Sequence, residues 1–85
     1  MLVRFIFTET AKNDLVHLSK EVLDRIGRKL RQFEGREDTL SQLKKLTENP
    51  SAEFRLRIGD YRLLMDKKGD TLYVLRVRHR REAYR

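Results

Sequence analysis

The chain has no cysteine and only one proline, Pro50. Without thiols, neither a disulfide nor a thiolate metal site can form, which suits a reducing cytoplasm. No apolar run approaches the ~20 residues of a membrane-spanning helix. The first apolar stretch, LVRFIF, is interrupted by Arg4, and the N-terminus lacks the pattern of a secretory signal. These absences predict a soluble cytoplasmic protein with no membrane partner. His17 reads as an ordinary surface histidine, so no metal is expected, and no small-molecule cofactor is called for. At 85 residues the chain is sized for a single domain, 1–85, that buries only about 60–65% of its unfolded surface.

Acidic residues are scarce in one half only. Residues 55–85 carry ten Lys/Arg against four Asp/Glu, whereas residues 1–54 carry ten against nine. Most of the net charge of +7 is therefore local, and it points to a polyanionic partner, either nucleic acid or an acidic protein.

In chain order, Leu2 to Phe7 alternates, with Val3, Phe5 and Phe7 on one side, as in a strand with a buried face. Thr8 stands where a helix N-cap belongs, with Glu9 in the first turn. Apolar residues then recur at Ala11, Leu15, Leu18, Val22, Ile26, Leu30 and Phe33, a helical stripe. Ser19 offers a second cap, so two helices meeting near Leu18–Ser19 are expected. Residues 34–53 read as a polar connection, in which Leu40, Leu43 and Leu46 suggest a short helical turn. Lys44 and Lys45 lie in this connection and could reach a phosphate.

The last stretch, FRLRIGDYRLLMDKKGDTLYVLRVRHRREAYR, reads as three strands joined by hairpins at Gly59–Asp60 and at Lys67–Asp70, followed by a basic tail. Phe54, Leu56 and Ile58 alternate with Arg55 and Arg57. In the third strand Tyr73, Leu75 and Val77 are expected to face the helices, and Leu72, Val74, Arg76 and Arg78 the other side. Arg55, Arg57, Arg62, Arg76 and Arg78 then gather on one face. With strands ~4.8 Å apart, such a cluster gains nothing for the fold and suits a phosphate-binding surface.

The strand FRLRI, the turn GDYR and the ending HRREAYR resemble the RelE/ParE superfamily of toxins. The order strand, helical hairpin, three-stranded meander is similar to that family's α+β fold over essentially the whole chain. The resemblance implies a toxin neutralised by a RelB-like antitoxin. In the RelE branch it implies an endoribonuclease, or mRNA interferase, that enters the ribosomal A site. There the ribose 2′-OH attacks the adjacent phosphate of the mRNA and the 5′-oxygen leaves, which inhibits translation. In the ParE branch it implies inhibition of DNA gyrase without cleavage. The cationic face also fits a third alternative, a basic RNA-binding module with little or no catalysis. Carried over by motif, Arg55 and Arg57 become phosphate clamps, since lysines often stand there in relatives and an arginine does not exchange its proton. Arg62, Arg80 and Tyr84 fall on catalytic positions. Tyr84, with arginines around it, is the expected base, and His79 is the alternative. Arg76, Arg78, Arg81, Lys44 and Lys45 complete the expected RNA contacts. Arg78 departs from the family, where glycine is common.

Overall fold

Two hydroxyl side chains decide where the helices begin. In a computed structural model that describes residues 2–47, 49 and 51–83, with Glu82 and Ala83 as backbone alone, Thr8 Oγ1 accepts the Ala11 N–H at 3.2 Å. Ser19 Oγ accepts the Val22 N–H at 3.3 Å. Each cap satisfies an amide that the helix itself cannot, an effect of about 1 kcal/mol. The first strand, β1 (Arg4–Phe7), is followed by α1 (Glu9–Val16) and α2 (Lys20–Glu34). α2 runs unbroken through Gly27 and buries Ile26, Leu30 and Phe33.

The connection after α2 holds more structure than expected. It contains α3 (Thr39–Gln42) and a two-residue strand, β2 (Lys44–Lys45). The buried Thr39 hydroxyl donates to the Phe33 carbonyl and anchors the segment to the end of α2. Then come β3 (Phe54–Ile58), β4 (Tyr61–Lys68), β5 (Thr71–His79) and a helical turn, α4 (Arg80–Ala83). The sheet has five strands in the order β1-β5-β4-β3-β2, so β2 is added to the four foreseen. Lys67 and Lys68 extend β4 and leave Gly69–Asp70 as the turn. In each hairpin the leading glycine takes positive φ, 58° at Gly59 and 63° at Gly69, as such two-residue loops favour.

β1 runs parallel to β5, while β2–β3, β3–β4 and β4–β5 are antiparallel. Helix-facing positions form one core with Val3, Leu56, Ile58, Leu63, Met65, Leu72, Val74 and Val77. This corrects the expected faces of β5. Leu72 and Val74 lie in the core, and the alternation is reset by a bulge: Met65 pairs with Val74 but Leu64 with Arg76, so Leu75 has no opposite number.

A candidate cationic site on one face of the sheet

Paired residues on neighbouring strands point to the same side of a sheet. On the side away from the core, Arg57 pairs with Arg62 and Arg62 with Arg78. Two residues further along β3, or about 6.7 Å, Lys44 pairs with Arg55, Arg55 with Leu64 and Leu64 with Arg76. Register alone therefore sets six cationic residues in two rows across the sheet. The bulge at Leu75 is what allows it. One strand buries Leu72 and Val74 in its first half and presents Arg76 and Arg78 in its second.

Arg76 carries its own counter-ion. Its Nε and Nη2 donate to Asp14 on α1 at 2.9 and 3.1 Å, and the Val77 N–H donates to the same carboxylate at 2.9 Å. β1 has ended by this point, so Asp14 closes the edge of β5 where strand pairing stops. Burial alone would raise the Asp14 pKa. The hydrogen bonds from Arg76 and Val77 and the charges of Arg76 and Arg78 outweigh it and hold the carboxyl below its ordinary range. Sequence reasoning missed Asp14, which sits off the helical stripe and meets its partner 62 residues away.

Of the two connection lysines, Lys44 joins the arginine face by register, while Lys45 pairs with Phe54 and belongs to the other side. His79 pairs with Tyr61, one step from the Arg62–Arg78 pair, and so lies on the opposite face from the arginines. Its ring meets Tyr61 edge-on, with centroids 5.2 Å apart. Its Nδ1 accepts the Arg81 N–H at 3.2 Å. Arg80 and Arg81 open α4, both exposed, and the Arg80 N–H donates to the Asp60 carbonyl at 2.7 Å. Tyr84, the expected base, lies outside the described residues. Among the described residues no three His, Asp or Glu side chains converge as a metal ion requires.

Residues 5–84 match the family model described as the ParE toxin of the type II toxin–antitoxin system parDE. The chain belongs to the RelE/ParE superfamily of toxins. Within it, the chain is similar to Toxin RelE3 of Methanocaldococcus jannaschii, with 28% identity over 85 residues and 96% of each chain covered. It is also similar to the toxin–antitoxin complex RelBE2 from Mycobacterium tuberculosis, with a TM-score of 0.78, 28% identity, and 93% of this chain and 99% of that one covered. A third likeness is to the RelB–RelE antitoxin–toxin complex from Methanococcus jannaschii, with a TM-score of 0.72, 27% identity and coverage of 93% and 94%. The α+β fold expected from the toxin motifs is thus the one observed, with β2 added.

Chemically, two rows of guanidinium and ammonium groups can clamp adjacent phosphates of one strand. Arginine's fork matches phosphate oxygens in pairs. Such a surface also stabilises the extra negative charge of a pentacoordinate phosphorus.

Proposed function

We propose that this toxin is a ribosome-dependent endoribonuclease that cuts mRNA in the ribosomal A site, acting as one domain in the cytoplasm. The observation that carries the reading is the Arg57–Arg62–Arg78 row, set side by side across three strands. In the proposed reaction the 2′-oxygen attacks the adjacent phosphorus as its proton passes to the base. The bond to the 5′-oxygen breaks, that oxygen takes up a proton from solvent to become a 5′-hydroxyl, and a 2′,3′-cyclic phosphate remains. Arg55, Arg57 and Arg62 hold and neutralise the phosphate, and Arg80 steadies the leaving oxygen. Tyr84 is the proposed base. His79 is the weaker candidate, because its ring stands on the other face against Tyr61 with Nδ1 engaged by Arg81.

The partner we propose is an acidic antitoxin segment that folds over the cationic face. The two solved structures named above are antitoxin–toxin complexes, which supports it. A second reading, inhibition of DNA gyrase, is favoured by the match to the ParE toxin model.

Adding purified toxin to a translating extract and mapping mRNA ends by primer extension separates the two. New ends inside codons are expected, falling at least about 100-fold in rate for Tyr84→Phe, as for loss of a general base. Intact mRNA together with blocked supercoiling by gyrase would favour the second reading.

A further inference from the structure

The Gly59–Asp60 turn gathers more than a hairpin needs. Arg57 Nε donates to the Gly59 carbonyl at 3.3 Å. The Arg25 guanidinium of α2 lies so close that a Cβ on Gly59 would sit 2.8 Å from Nη1. The pairing of Arg62 with Arg78 and Tyr61 with His79 continues one step further, because the Arg80 N–H donates to the Asp60 carbonyl at 2.7 Å. The Asp60 carboxylate then approaches Arg80 Nη1, with Oδ1 at 3.8 Å. The turn is thus the place where α2, β3 and α4 meet.

We propose that Asp60 is a positioning residue, whose carboxylate holds the Arg80 guanidinium at the hairpin end of the arginine face, ready for a phosphate. The inference rests on the reading of that face as a phosphate-binding surface and goes beyond it in naming what orients Arg80. Both side chains are more than half exposed, so the pair adds little to stability. The backbone bond from Arg80 docks the start of α4 on the turn; the carboxylate acts on the side chain alone. Arg80 has a long stem with many rotamers in water, and a neighbouring anion selects those that lie along the turn. An RNA phosphodiester carries one negative charge, as the Asp60 carboxylate does. The carboxylate stands 3.8 Å away, beyond hydrogen-bond range, whereas the two free phosphate oxygens can take both arms of the guanidinium fork without the strand moving.

A double-mutant cycle tests this. The probe is a short fluorescein-labelled single-stranded RNA at low salt, titrated with the full chain, Asp60→Asn, Arg80→Ala and the double variant. Asp60→Asn is expected to weaken binding about threefold in the parent, the scale of an exposed ion pair. In the Arg80→Ala background the same change is expected to leave binding unchanged or tighten it, because only a repulsive charge is removed. Asp60→Glu is expected to restore most of the affinity, and all five proteins to melt alike. Equal effects in both backgrounds, tightening in the parent, or no binding by the parent would overturn the inference. Cleavage in the translating extract provides a separate arm. Asp60→Asn is expected to lower kcat with little change in KM. If the parent leaves mRNA intact, the nuclease reading fails while the binding cycle still decides the role of Asp60.

Discussion

Arg76 and Arg78 lie two residues apart on one face of β5, and Asp14 chelates Arg76 through two hydrogen bonds. That carboxylate also takes the Val77 N–H. Replacing it with asparagine leaves a half-buried guanidinium and an edge amide with poorer acceptors, at a cost of about 1–2 kcal/mol at neutral pH. The pH dependence has a defined sign. Asp14 is more acidic folded than its ordinary value of 3.8, so it stabilises the fold above that value and loses this contribution as pH falls through the lowered pKa. Urea unfolding at pH 7 and pH 3 is expected to show a larger difference for the parent than for Asp14→Asn.

At the level of elements, the helices and hairpins were legible because their signals are local. Thr8 and Ser19 cap what they precede, and Gly59 and Gly69 supply the positive φ that their loops use. β2 was not legible, since two lysines carry no alternation and become a strand only by pairing with Phe54 and Arg55. The bulge was hidden for a related reason. Leu72 to Leu75 is apolar apart from the amphipathic Tyr73, so a period of two fits either face, and only the partner strand fixes the choice. Of the candidate site, Arg55, Arg57, Arg62, Arg76 and Arg78 share the face that their alternation implied. The partner of Arg76 and the placing of His79 beside Tyr61 needed the tertiary structure. Because Leu75 is the extra residue, deleting it leaves Val74, Arg76, Val77 and Arg78 in plain alternation. That variant is expected to fold cooperatively, with a loss of about 1–3 kcal/mol. Deleting Tyr73 instead makes Leu72 and Val74 neighbours and forces one of them out of the core, at about 2–5 kcal/mol. Denaturant midpoints compare the two directly.

Across the whole molecule, six cationic residues, Lys44, Arg55, Arg57, Arg62, Arg76 and Arg78, share one side of a sheet whose other side holds the core. Binding to single-stranded RNA should therefore weaken steeply with salt. Removing one cation that neutralises a phosphate should flatten the log–log slope by about 0.7. Arg57→Ala, at an exposed position, is expected to do so by that amount. Arg76→Ala is expected to change the slope less, because Asp14 already balances its charge. Equal slopes for the two variants would show that the Asp14 pair opens when RNA binds.

The parallel pairing of β1 with β5 has a consequence for the order of events in synthesis. Residues 4–7 leave the ribosome well before their partners, residues 71–74. β1 cannot join its sheet, nor can Val3, Phe5 and Phe7 find their places beside Leu72 and Val74, until residues 71–74 have been made. The arginine rows depend on the same last strand, since Arg76 and Arg78 come from it. A nascent chain therefore carries no assembled cationic face. On the reading proposed above, a ribosome making this toxin meets no assembled cutting face until β5 has been made.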